Sequence, residues 1–163
     1  FGQNADSLYE ITAAVKKKAA QPVIMKLSPN VTDIAQMAKA AEAAGADAIS
    51  MINTITGMKI DIRRRSFLLA NKTGGMSGPA IKPVAVRMVY QCAQAVKIPI
   101  IGMGGIQNAE DALEFLMAGA SAVAVGAANF INPYATQEII TGIEDFMRQE
   151  HVMDIKELVG CVN

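Results

Sequence analysis

The chain of 163 residues has no tryptophan, one histidine, two cysteines and no surplus of either charge, 15 Lys+Arg facing 15 Asp+Glu. Each shortage removes a class of explanation. Balanced charge argues against nucleic acid or an anionic membrane surface as the main partner, because both demand a basic excess. Cys92 and Cys161 are far apart and in no metal-ligand spacing, which fits free thiols in a reducing, cytoplasmic setting. No apolar run is long enough to span a bilayer. The start, FGQNADSLYE, lacks a basic segment followed by an apolar one, so it does not read as a signal peptide. His151 lies near the C-terminus and reads as a surface residue. Because the first residue is Phe1 rather than Met, the chain is expected to be processed or a piece of something longer.

What is present is apolar surface. Hydrophobic residues make up 52% of the chain, enough for one ordinary domain with a real core. The runs VIMKL (23–27), AISMI (48–52), IPIIGM (98–103) and AVAV (122–125) are continuous rather than alternating. Continuous runs suit strands buried on both faces, as in parallel sheets. Helical periodicity fills the gaps. Ile34, Met37, Ala38 and Ala41 share one face of a helix over 31–44, capped by Asn30 or Thr32 and followed by Gly45. A second helix over 83–96 puts Cys92 on its core face. A third over 109–118 has Asn108 as N-cap, Asp111 three residues on and Gly119 as its stop. A last helix is predicted over 133–149, with Pro133 in its first turn. AGADAIS (44–50) and AGASAVA (118–124) repeat one grammar of helix end, glycine turn and strand. Repeated βα units of this kind mean an α/β fold, either a barrel or a doubly wound sheet. The GxGxxG dinucleotide fingerprint is absent. Four strands do not close a (β/α)8 barrel, which takes roughly 250 residues, so a barrel here is about half of one.

Several residues could carry chemistry. Lys26 interrupts an apolar strand near its C-terminal end, where an unpartnered buried lysine is costly. It either snorkels to the strand edge or aims a cation at a ligand beyond the strand tips, where α/β sites sit. Asn53 and Thr54 follow AISMI and offer hydrogen bonds to an amide or carboxylate, although both are also ordinary turn residues. GMGG (102–105) and VGAAN (125–129) follow the next two strands. Small residues there let N–H groups approach a phosphate, in the manner of the barrel loops after strands seven and eight. NKTGGMSGPAIKP (71–83) holds three glycines and two prolines; it either turns a corner or brings backbone close to a ligand. Arg63, Arg64 and Arg65 read as a solvated face or an interface, and the ten methionines as core filler. No histidine, cysteine or paired carboxylate stands at a strand tip to act as acid or base.

KLSPN (26–30), MINT (51–54), TGGMSGPAIKP (73–83), IIGMGG (100–105) and AVAVGAANF (122–130) resemble, in that order, the flavin-binding C-terminal half of the dihydroorotate dehydrogenase family. The resemblance covers nearly the whole chain. MINT, SGPAIKP and GMGG together look like the NAD-linked class 1, B-type branch rather than the fumarate-using A-type. The runner-up is the similar barrel of dihydropyrimidine dehydrogenase, with its related SGxAIxP and GGI pattern.

The resemblance implies an α/β fold that is the C-terminal half of a (β/α)8 TIM barrel with parallel strands. Residues 1–163 would form half of one FMN-binding domain whose N-terminal half is absent. It implies that Lys26 contacts the flavin ring, that Ile52 packs at it, and that Gly78 lets the backbone lie beside it. Gly104, Gly105, Gly126 and Ala127 would supply amides to the FMN phosphate. Position 127 is often Thr in relatives; alanine loses a hydroxyl contact and keeps the N–H. Asn53 and Thr54 would bind dihydroorotate or orotate. The implied reaction is oxidation of dihydroorotate to orotate in pyrimidine biosynthesis, a base taking a proton from C5 while C6 gives a hydride to the flavin. Electrons would leave to NAD through a partner subunit carrying an iron–sulfur cluster and FAD, and catalytic subunits would form homodimers. The family's base is a cysteine that would lie just before Phe1 and that neither Cys92 nor Cys161 matches. The chain alone is therefore expected to be inactive. Beside this stands a reading from another class, a non-catalytic half-barrel that self-associates to cover open sheet edges.

Overall fold

The computed structural model describes residues 2–162. Helix α1 (Ala5–Lys18) comes first, the Asn4 side chain accepting from the Ser7 N–H at 2.8 Å. Strand β1 (Ile24–Lys26) leads through α2 (Ile34–Ala43) to β2 (Ala48–Met51). An antiparallel excursion then carries β3 (Ile55–Met58), β4 (Ile60–Asp61), β5 (Ser66–Phe67) and β6 (Thr73–Met76). A 3-10 turn over Pro79–Ile81 passes into α3 (Lys82–Ala93), and β7 (Ile100–Met103) follows. The chain continues through α4 (Ala109–Met117), β8 (Ala122–Ala124), the short α5 (Ala128–Ile131) and α6 (Ala135–Gln149) to a second 3-10 turn, Ile155–Glu157.

Strands β1, β2, β7 and β8 form one parallel sheet in that order, with Ile24 opposite Ala48, Ile49 opposite Ile100 and Ile101 opposite Ala122. The four predicted strands are these four. Their spatial order is their chain order, so every crossover steps the same way. Right-handed crossovers then place α2, α3 and α4 on a single face. This decides between the two α/β arrangements left open by the sequence: the sheet is singly wound, an arc of a barrel.

Single-face cover also corrects the expectation of strands buried on both sides. Along β7, Ile100 and Gly102 are buried while Ile101 and Met103 are only partly so. At the edge, β1 leaves Ile24 and Lys26 exposed.

The core lies between sheet and helices. Ile49 and Met51 of β2 meet Ala41 of α2, Ala85, Val89 and Cys92 of α3, and Phe115 of α4, all fully buried. Burial, with a smaller push from Asp33, raises the Cys92 thiol to about 12, so it behaves as an inert apolar group. A smaller cluster of Leu113, Leu116 and Leu158 fastens the C-terminal segment to α4.

Local details sharpen the sequence reading. Helix α2 is capped by Asp33, which accepts from the Gln36 N–H at 3.0 Å, not by Asn30 or Thr32. Asn108 caps α4 as predicted, accepting from the Asp111 N–H at 2.9 Å. The predicted helix over 133–149 is α6, which starts at Ala135, so Pro133 sits in the link from α5 rather than in the first turn. The excursion over 55–76 has no counterpart among the predicted strands and helices. It pairs Ile55 with Met76 and Ile60 with Phe67, and the arginine run is its outer turn, where the Asp61 carboxylate accepts from the N–H groups of Arg63 and Arg64 at 3.0 Å each. A Cβ at Gly75 would collide with the Thr54 side chain, so glycine there lets β6 lie against the end of β2.

Candidate functional site

The four parallel strands point their C-terminal ends at one cleft of about 210 Å³. Lys26 ends β1, and Ile52, Asn53 and Thr54 follow β2. Ser77 and Gly78 form one wall, Gly104 and Gly105 follow β7, and Gly126 and Ala127 follow β8; all line this cleft. So do Ile81, Met103 and Val125. Each of the nine residues to which the family resemblance gives a cofactor or substrate role therefore borders the same space. Lys26 is exposed at the strand tip and reaches solvent there, so its ammonium does not bear the burial cost.

The framework is made of main-chain ties between neighbouring tips. The Ile52 N–H donates to the Met103 carbonyl at 2.9 Å, and the Asn53 N–H to the Leu27 carbonyl at 3.0 Å. Ile52 is buried against Gly104, where an added Cβ would come 3.4 Å from Ile52 Cγ1. Two asparagines that the sequence reading did not assign to the site hold its turns. Asn30 donates from Nδ2 to the Thr54 carbonyl at 3.1 Å and accepts at Oδ1 from the Thr56 N–H at 2.9 Å. Asn129 donates from Nδ2 to the Val125 carbonyl at 2.9 Å. The signal for Asn30 was an amide directly after Pro29 at a strand tip, a better position for bridging loops than for capping a helix that starts later.

The glycines differ in what they permit. Gly105 has φ +83°, and a Cβ there would stand 2.7 Å from the Gly78 carbonyl oxygen and 3.1 Å from the Lys82 nitrogen. Only glycine allows the two walls to touch. Gly78 and Gly126 are the reverse case: a Cβ at either would meet nothing within 4 Å. Their backbone faces open space. Among the described residues, the N–H groups of Gly104, Gly105, Gly126 and Ala127 have no protein acceptor. Clustered backbone donors without partners make an anion-binding concavity. Among the described residues lining the cleft there is no His, Cys, Asp or Glu; what the lining offers is the Lys26 cation, polar side chains and backbone donors.

A singly wound parallel sheet with a ligand cleft at its strand tips belongs to the α/β barrel class. The family model described as dihydroorotate dehydrogenase matches residues 1–147. The proteins named dihydroorotate dehydrogenase B (NAD(+)), catalytic subunit, from Lachnoclostridium phytofermentans, Alkaliphilus oremlandii and Desulforamulus reducens are 71%, 62% and 59% identical to the chain. The alignments cover 99%, 98% and 100% of this chain and 54%, 53% and 54% of those proteins. The chain belongs to the dihydroorotate dehydrogenase family, and it spans about half the length of the curated relatives it matches.

Proposed function

We propose that this chain is the FMN-binding, C-terminal half of a B-type dihydroorotate dehydrogenase catalytic subunit. Its residues 1–163 would be half of one barrel domain, and the parent would be a cytoplasmic enzyme of pyrimidine biosynthesis. The observation that carries the reading is the convergence of partnerless backbone N–H groups from two glycine turns with Lys26, Asn53 and Thr54 around one cleft. The fit to FMN is chemical. The amides of Gly104, Gly105, Gly126 and Ala127 suit a phosphate, and the open faces of Gly78 and Gly126 leave room for a planar ring. A cleft of about 210 Å³ is below the roughly 300–1,000 Å³ of complete ligand pockets, as half of a site should be.

When bound, FMN supplies the hydride acceptor. The chain's own part is to bind and orient. Lys26 would offer positive charge to the flavin, Ile52 and Gly78 would pack against it, and Asn53 and Thr54 would present donors and acceptors to dihydroorotate or orotate. The base that takes the C5 proton lies outside the chain, so the chain alone has no turnover. A partner subunit holding an iron–sulfur cluster and FAD would take the electrons on to NAD, and the catalytic subunits would pair as homodimers.

FMN titration by visible absorbance and flavin fluorescence tests this. The expected outcome is saturable uptake, weakened about tenfold or more by Lys26→Ala through loss of a charge-assisted contact, and perturbed by orotate. Uptake indifferent to both Lys26→Ala and orotate would point to a different phosphate-bearing ligand. The open edges at β1 and β8 favour one second reading, a half-barrel that pairs with itself. A monomer at all concentrations by light scattering would rule that out.

A further inference from the structure

We propose that Lys82 and Asp111 are positioning residues for the glycine turn after β7, a single ion pair that fixes the separation of the cleft's two backbone walls. The inference rests on reading the cleft as a flavin phosphate site. Lys82 is the first residue of α3 and follows the Ser77–Gly78 wall through one 3-10 turn. Asp111 stands in the first turn of α4, just after the Gly104–Gly105 wall.

Their contact is specific. Lys82 Nζ donates to Asp111 Oδ1 at 2.5 Å. The other oxygen, Asp111 Oδ2, accepts from the Gln107 N–H at 2.8 Å. One carboxylate thus holds a cation from the first wall and a backbone amide from the second. Asp111 is only 8% exposed, so removing its partner strands a charge in poor surroundings. Lys82 also donates to Glu114 Oε1 at 2.6 Å, but that carboxylate is exposed and touches neither turn. The walls have no slack to absorb a loosened pair, because Gly105 already abuts the Gly78 carbonyl and the Lys82 backbone. A tie that merely joined two helices would not reach the Gln107 amide.

The test compares Lys82→Met, Asp111→Asn, the double variant and Lys82→Arg, with Glu114→Gln as control, in the whole chain. Two quantities are read: hydrogen exchange of the 105–107 amides relative to Val89, and FMN affinity by fluorescence. The two single variants and the double should each speed exchange at Gln107 by about tenfold and weaken FMN by a similar factor, the double no worse than a single. Glu114→Gln should leave both within about twofold of the parent. Lys82→Arg should restore most of the affinity lost in Lys82→Met. Unchanged exchange at Gln107 overturns the proposal, and so does faster exchange with unaltered FMN affinity. If the parent chain takes up no FMN, the flavin reading fails for this chain, and exchange alone then decides whether the pair holds the turn. If Lys82→Met does not fold, Lys82→Arg and Asp111→Asn decide by the same two readouts.

Discussion

The two ends of the parallel sheet are built from opposite chemistry. At the N-terminal ends of the strands, carboxylates close the backbone. Asp47 accepts from the Val23 N–H at 2.6 Å and pairs with Lys16. Glu42 accepts from the N–H groups of Lys97 and Ile98 at 2.7 and 3.1 Å. At the C-terminal ends, glycine replaces acid and N–H groups are left without protein acceptors. The first end is satisfied internally, and the second leaves its backbone donors open. Barrel proteins generally divide in this way, stability residing at one rim and chemistry at the other. The difference teaches that the polar groups of this chain should be sorted by which rim they occupy before any is called functional.

Substitutions can break or sharpen that division. The largest effect should come from neither rim. Phe115 is fully buried beneath β7, and Phe115→Ala should cost about 3–5 kcal/mol of unfolding free energy in a urea titration. The ring packs against Gly102 near the end of β7, so FMN uptake should fall with it. At the C-terminal rim the binding loss should exceed the loss of stability. Gly105→Ala should weaken FMN by about 100-fold in a fluorescence titration. It should also cost the fold more than the roughly 1–2 kcal/mol of a left-handed backbone alone, because the new Cβ would stand 2.7 Å from the Gly78 carbonyl oxygen.

The smallest effect belongs to the N-terminal rim. Asp47→Ala should lower the melting midpoint by about 2–4 °C while leaving FMN affinity unchanged, since it frees only the Val23 amide and Lys16. Its pH dependence is directional. The hydrogen bonds from Lys16 and the Val23 N–H hold the Asp47 carboxyl below its ordinary range. The folded value therefore lies under the unfolded one. The stabilisation is complete above about pH 4 and is lost as pH falls through the lowered value. The gap in melting midpoint between parent and Asp47→Ala should close on acidification and stay constant from about pH 5 to 8. An Asp47→Ala chain that lost FMN affinity would erase the distinction between the rims.

Much of this was legible in the sequence because it depends on local pattern. The four apolar runs are the four strands, and the polar or small residues at or just after their ends, Lys26, Asn53, Gly104 and Gly126, lie at the cleft because parallel strands present their ends together. What could not be read depends on residues far apart in the chain. Lys82 and Asp111 each look like ordinary helix-start residues until the fold brings them together. Asn30 resembles a cap until β3 passes beside it. The excursion over 55–76 was hidden because glycines and charges interrupt the period-2 pattern of its short strands. Its pairing is held by backbone register, not by an apolar face.

That excursion has one more consequence. Ile62 and Arg63 to Arg65 are exposed at its tip, Arg65 in a left-handed conformation with φ 52°, while the stem is a ladder from Ile55–Met76 to Met58–Thr73. Protruding turns of this kind are where proteases enter folded chains. Brief trypsin treatment should nick the chain there first and leave two pieces clasped by the stem and the buried core. Such a nicked molecule would separate what the tip does from what the sheet does without altering a single side chain.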